Sequence, residues 1–222
     1  SMAPAAPVFS WNFPGTAPFC EEIRRDEALT DRIYRETGCM PHGTYPRHAL
    51  AYLRSRGIEL GDKKLVTQGG YNFYRMTGRF LETACTQSGT GLIDLRTRDY
   101  GAFILDYLGI ERGQLGELVS YRDVCPLGRE AAGLLGLSAG IPVVPAHADG
   151  ALNQIGNYAG RKGIMTMSVG TSGAVRVCAD RPVLPEKRQL WCYCGAEGWI
   201  SGAAGAGACN CVDWFMKKAL GG

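Results

Sequence analysis

Residues 167–177 read MSVGTSGAVRV, two short runs of strand-like alternation joined by Gly170-Thr171-Ser172-Gly173. Such a turn suits a plain hairpin, because Gly, Ser and Thr meet the conformational needs of tight connections. The same four residues also suit an anion. Glycines let the backbone approach a phosphate, and successive N–H groups with two hydroxyls form a cradle for its oxygens. What faces the turn decides between the two. Just upstream, IPVVPAHADGALNQIG (141–156) runs from a strand-like stretch into a helix, with Asp149 at the junction. Open α/β sheets place their ligands at such junctions. Aspartate is equally a favoured helix cap, so the cap role by itself accounts for the residue. If it faces the turn, its carboxylate can orient a hydroxyl and take the proton late in a transfer.

Outward from this pair, the chain divides by character. CEEIRRDEALTDRIYRETG (20–38) predicts one amphipathic helix closed by Gly38, and YPRHALAYLRSRG (45–57) a second with Pro46 in its first turn. YNFYRMTG (71–78), DYGAFILDYLG (99–109) and GREAAGLLG (128–136) read as further helices, each closed by glycine. From Gly163 the pattern becomes four short strands, GIMTMSV, AVRVCA, LWCYC and GWISG, followed by a helix over CVDWFMKKAL (211–220). An α/β chain of two lobes is expected, divided into 1–160 and 161–222. Both lobes are expected to be incomplete, since four strands and one helix cover one face of a sheet that normally has both covered.

Composition narrows the classes. The 222 residues are 45% hydrophobic and 20% charged, enough chain and apolar content for a real core. The net charge of +3 is spread out with no run of five basic residues, which argues against nucleic acid or an anionic membrane as partner. No apolar segment approaches the ~20 residues of a spanning helix. The opening Ser1-Met2 reads as a tag remnant with no secretory segment after it, and a cytoplasmic protein is expected. Nine cysteines include the pairs Cys192/Cys194 and Cys209/Cys211. Strand alternation puts Cys192 and Cys194 on one face, but structural zinc sites use wider spacing, so buried reduced thiols are the reading of both pairs. His42, His48 and His147 have no metal-ligand spacing, and no metal ligands are assigned. GAAGAGACN (202–210) resembles a dinucleotide fingerprint, yet Asn210 stands where the third glycine belongs; small residues packing a helix on a sheet explain it better.

The order of several segments is more specific than any one of them. TGCMPHGTYPRHALAYL (37–53), YRMTGRF (74–80), SGTGLIDLRTRDY (88–100), LGLSAGIPVVPAHADGALNQIG (135–156) and SVGTSGAVRV (168–177) succeed one another as in the FGGY carbohydrate kinases. GTSGAVRV and DRPVL (180–184) resemble the gluconokinase branch most. The resemblance implies the actin/hexokinase-like (ribonuclease-H-like) ATPase fold, with sugar and ATP meeting in a cleft between lobes. It implies ATP-dependent phosphorylation of a sugar or sugar acid hydroxyl, gluconate-like or a ketopentose such as xylulose. It makes 1–160 part of the sugar-binding domain and 161–222 the start of the ATP-binding domain. Asp149 takes the place of the family's catalytic aspartate, Gly150 follows it in the sugar site, and Tyr45 stands where a sugar-contacting aromatic is found. Gly170, Thr171, Ser172 and Gly173 match the loop that faces the ATP phosphates, with Mg2+ expected alongside the nucleotide.

The chain departs from the family's pattern too. It is under half the usual length, without the early DxGTT-type phosphate loop or the later adenine site. SWNFPGTAP (10–18) replaces a WNDRRA-like stretch, Ala49 stands where lysine is common, and Thr83-Ala84 replace a frequent Asp-Tyr pair. The expectation is a central piece of a sugar kinase with negligible turnover alone, self-associating or joined by a complementing segment. A non-catalytic sugar-binding module is the alternative, and an NAD-dependent oxidoreductase using Gly205 and Gly207 a distant third.

Overall fold

The computed structural model describes residues 3–220, so Ser1-Met2, read above as a tag remnant, lies outside it. A 3-10 turn at Pro14–Thr16 leads into α1 (Ala17–Arg25), and α2 (Glu27–Thr37) follows after a single residue. The one helix expected over 20–38 is therefore two. Asp26 adopts an extended backbone (φ −96°, ψ 100°) and its carboxylate accepts from the Leu29 amide at 2.9 Å, capping α2. Gly38 closes α2 as expected, in the left-handed region at φ 70°.

Next come α3 (Arg47–Ser55), α4 (Gln68–Thr77), β1 (Leu81–Thr83), α5 (Ala84–Ser88), β2 (Ile93–Asp94), β3 (Asp99–Tyr100) and α6 (Ala102–Leu108). β4 (Glu117–Val119), β5 (Cys125–Pro126), α7 (Arg129–Leu135), β6 (Pro142–Val143) and α8 (Asp149–Gly156) complete the helix-rich part. Its strands are short: β1 pairs β4 in parallel, while β2–β3 and β5–β6 pair antiparallel. The strand expected over 141–147 shrinks to two residues, with Pro142 inside it and Pro145 just after, and proline cannot donate to a ladder.

The strands from residue 163 onward form as read: β7 (Met165–Val169), β8 (Gly173–Ala179), β9 (Trp191–Cys194) and β10 (Trp199–Gly205), then α9 (Cys209–Ala219). They make an antiparallel sheet in the order β7-β8-β10-β9. An antiparallel β10 leading into α9 is not the parallel crossover a dinucleotide fold needs. A Cβ on Gly207 would meet Cys211 Sγ at 2.8 Å, so that glycine makes room for the first turn of α9.

The main core draws on both parts. Ile33 of α2, Ile93, Leu95 and Ile104 are fully buried, and Cys192 and Cys194 of β9 join the same cluster. Tyr34 donates its hydroxyl to the Leu190 carbonyl (2.7 Å), and Trp199 Nε1 donates to Leu95 O (2.9 Å). β9 is thus built into the helix-rich core. Cys192 and Cys194 share a face and are buried thiols, as expected; burial raises the Cys194 thiol to about 12. The second pair differs. Cys209 and Cys211 are exposed, because they start a helix none of whose residues is buried. Among the described residues no three His, Cys, Asp or Glu side chains gather to hold a metal, and no helix is long and apolar enough to cross a membrane.

Candidate functional site

Asp149 is the first residue of α8, and Ala148, not the aspartate, occupies the cap position. A side chain one place inside the helix is not needed for capping. Asp149 is exposed, and among the described residues its Oδ1 accepts only from the neighbouring Gly150 amide, at 2.6 Å. The segment before it is pinned from below. Thr83 and Thr86 hydroxyls both donate to the Ala146 carbonyl, each at 2.8 Å. Thr83 also caps α5, so the departure at 83–84 serves the backbone here.

One turn into α8, Gln154 fixes the helix to the hairpin. It is fully buried; its Oε1 accepts from the Thr166 hydroxyl on β7, while Nε2 donates to Ala159 O (3.3 Å) and reaches Cys178 Sγ on β8 (3.5 Å). Ala151 packs in the same place with Cys85, Cys178 and Ile200. The start of α8 consequently lies against the middle of β8, where a Cβ on Gly150 would stand 3.0 Å from Arg176 Nε. Arg176 in turn donates from Nη1 to Ser168 Oγ on β7 (3.2 Å). Ser168 pairs with Ala174 on the rung next to Val169–Gly173, which closes the 170–172 turn.

The turn is exposed at its tip. Gly170 N donates to Ser172 O (2.9 Å), and Gly170 O accepts from Cys209 N at the start of α9 (2.9 Å). The Thr171 and Ser172 amides and hydroxyls have no hydrogen-bond partner among the described residues. Neither Gly170 nor Gly173 has a positive φ, so the turn does not demand glycine for its conformation. Gly170 instead faces open space, its nearest neighbour to an added Cβ being Ser172 O at 3.9 Å. Access is what a glycine supplies there.

The structure thus brings Asp149, Gly150 and the 170–173 hairpin into one connected region. It does not bring Tyr45 there. Tyr45 is 7% exposed, with its hydroxyl 3.0 Å from that of Tyr193 and the Arg47 guanidinium 5.3 Å from its ring. Burial drives both phenols well above their usual range, and the pair reads as an internal brace. A cavity of about 580 Å³ opens beside α8, lined by His147, Ala151, Ile155, Cys178 and Ile200 among others.

Sequence reading missed Gln154, Ser168 and Arg176. For Arg176 a signal exists: alternation puts it on the face of β8 shared by buried Ala174 and Cys178, so a cation there points inward. For Gln154 and Ser168 no local pattern distinguishes a pinning group from a surface one.

The N-terminal domain model of the FGGY family of carbohydrate kinases matches residues 2–156. The chain belongs to this family. Among curated relatives, the gluconokinase of Bacillus subtilis is 26% identical over 203 residues, covering 90% of this chain and 39% of the relative. Two solved structures from Lactobacillus acidophilus, described as a ligand-bound xylulose kinase and a gluconate kinase, each superpose with a TM-score of 0.90 at 23% identity. Each covers 96% of this chain, and this chain covers 44% of each. The actin/hexokinase-like fold implied by the sequence is therefore the fold of this chain, which spans well under half the length of the relatives it matches.

Proposed function

We propose that the chain carries the phosphoryl-transfer end of a sugar kinase site, serving ATP-dependent phosphorylation of a sugar or sugar acid hydroxyl. The observation that supports it most is Gln154, which locks the helix beginning at Asp149 onto the hairpin whose tip offers free amides and hydroxyls. Phosphoryl transfer needs little covalent help. It needs an aimed hydroxyl and charge stabilisation of the group in flight.

In this reading Asp149 orients the acceptor hydroxyl and takes its proton as the oxygen attacks the γ-phosphorus, and ADP leaves with the bridging electron pair. The amides and hydroxyls of Gly170, Thr171, Ser172 and Gly173 hold the phosphate oxygens. Gly150 keeps the ground beside Asp149 open, and Tyr45 supports the sugar side through Tyr193. Magnesium neutralises charge on nucleotide phosphates and binds through them with one or two carboxylates. Among the described residues no three His, Cys, Asp or Glu side chains gather, so no metal ligand is assigned on this chain and magnesium would come bound to the nucleotide phosphates. Gluconate-like acids and ketopentoses such as xylulose are the proposed substrates, by likeness to relatives bearing those names. We place the domain division near residue 160, and the protein in the cytoplasm.

The exposed apolar residues Met165, Met167 and Val169 on edge strand β7 favour self-association or a complementing kinase segment. By themselves the 222 residues are proposed to bind without appreciable turnover. Calorimetry with gluconate, xylulose and ATP tests the reading. Binding of sugar and nucleotide, with sugar affinity reduced in Asp149→Asn, is expected. Sugar binding without nucleotide binding identifies a sugar module instead, and sugar-dependent ADP formation at ordinary kinase rates overturns the inactivity of the chain alone.

A further inference from the structure

We propose that Arg176 is the cation that receives the transferring phosphoryl group, between the Asp149 carboxylate and the free amides of Thr171 and Ser172. The inference rests on the kinase reading above and adds to it a residue and a charge.

Arg176 is the odd arginine of this protein. Arg188 spends its guanidinium on Glu27 and Asp31, and Arg47 is fully engaged by Thr37, His48 and the carbonyls of Cys39, Met40 and Gly91. Arg98 donates to the carbonyls of Gly195 and Gly198. Arg176 is half-buried, yet it makes one hydrogen bond, to Ser168, and no ion pair among the described residues. A guanidinium carries five N–H donors, so four remain unspent beside one another.

Its placement says what those donors meet. The side chain leaves β8 on the face it shares with buried Ala174 and Cys178, and lies along the start of α8. Gly150, the residue after Asp149, has no side chain, and a Cβ there would come within 3.0 Å of Nε and 3.6 Å of Cδ. On the other side, Ser168 Oγ draws Nη1 to within one rung of the turn. The guanidinium is thereby held against the first turn of the helix that begins at Asp149 and one rung from a turn whose amides are free among the described residues. Among the described residues no carboxylate forms an ion pair with it.

The chemistry follows from that arrangement. As the acceptor oxygen bonds to the γ-phosphorus and the bond to the β-phosphate oxygen breaks, negative charge spreads over the equatorial oxygens. A guanidinium binds two such oxygens in its planar fork and stays protonated throughout, so it adds charge without moving a proton. The proton of the hydroxyl goes to Asp149. Ser168 acts on Arg176 only, as a positioning residue.

The test uses the 222-residue chain and sodium tripolyphosphate as probe, with gluconate titrated in parallel. Arg176→Gln is expected to weaken tripolyphosphate binding by at least about tenfold and Arg176→Lys by less, because lysine keeps the charge and loses the fork. Gluconate affinity is expected to stay unchanged in both. In the unmodified protein, the Arg176 Nε–Hε resonance should shift on adding tripolyphosphate, a readout that needs no variant to fold. Equal tripolyphosphate affinity in Arg176→Gln and the parent, with binding lost in Thr171→Ala/Ser172→Ala, overturns the inference and leaves the kinase site standing. Loss of gluconate but not tripolyphosphate in Arg176→Gln also overturns it, assigning the arginine to the sugar's carboxylate. No tripolyphosphate binding by the parent chain overturns both inference and site.

Discussion

β9 and β7 sit at opposite edges of one four-stranded sheet and sort their side chains in opposite ways. On β9 the alternation is conventional, with Cys192 and Cys194 turned into the main core beside Ile33 and Leu95. On β7 the polar residues Thr166 and Ser168 turn inward, while Met165, Met167 and Val169 face out and are mostly exposed. The difference separates two tasks. β9 contributes to stability. β7 surrenders its inner face to hydrogen bonds that set the register of α8 and Arg176, and leaves its apolar side chains exposed.

Truncation in the β9 neighbourhood should have the largest effect. Ile33→Ala is expected to cost about 2–5 kcal/mol in urea unfolding, since the residue is fully buried. Met167→Ala should change stability by no more than ~0.5 kcal/mol. Similar losses at the two positions would abolish the contrast. Gln154→Leu comes next: leaving Thr166 and the Ala159 carbonyl unpaired should cost about 1–3 kcal/mol. It should also weaken tripolyphosphate binding, unlike a purely structural loss elsewhere.

The helix-rich side has its own pH signature. His48 is buried and accepts from Arg47 Nε at 3.2 Å. Burial, reinforced by the Arg47 charge, lowers its pKa from the ordinary 6.5 to about 3. Between those values the unfolded chain binds a proton that the folded chain refuses. Stability is therefore full above about pH 6.5 and falls as the pH drops toward 3. His48→Gln should flatten that part of the profile, and an unchanged slope would contradict the assignment. A small effect is also expected at Gly150→Ala, within about 1 kcal/mol, because alanine suits a helix better while its methyl crowds a flexible guanidinium. Its visible consequence should be a displaced Arg176 Nε–Hε resonance.

Local chemistry was legible where one residue decides an outcome. Gly38, Gly78, Gly109 and Gly136 each end a helix with a positive φ, as a glycine after an apolar repeat suggests. The β7–β8 hairpin and its turn were equally plain. The break at Asp26 was not, because the apolar pattern runs on through it and the stop is a capping choice. Tyr45 was named through the family resemblance alone, and its burial against Tyr193 could not be read locally because that partner lies 148 residues away. At the site, Asp149 and the turn could be named from sequence, but the groups that hold them together come from three separate elements. Gln154 looked like any helix glutamine, and the alternation that turns Arg176 inward tells only once Ala174 and Cys178 are known to be buried.

The embedding of β9 also dictates when the molecule can finish folding. Tyr34 waits for the Leu190 carbonyl, 156 positions later in the chain. Ribosomes add about 5–20 residues per second, so α2 emerges roughly eight to thirty seconds before its last core neighbours. During that interval a hydrophobic slot is open on the nascent polypeptide. A chaperone-depleted translation reaction, pulsed with protease, should find the early helices cleavable until residues beyond Cys194 have cleared the exit tunnel.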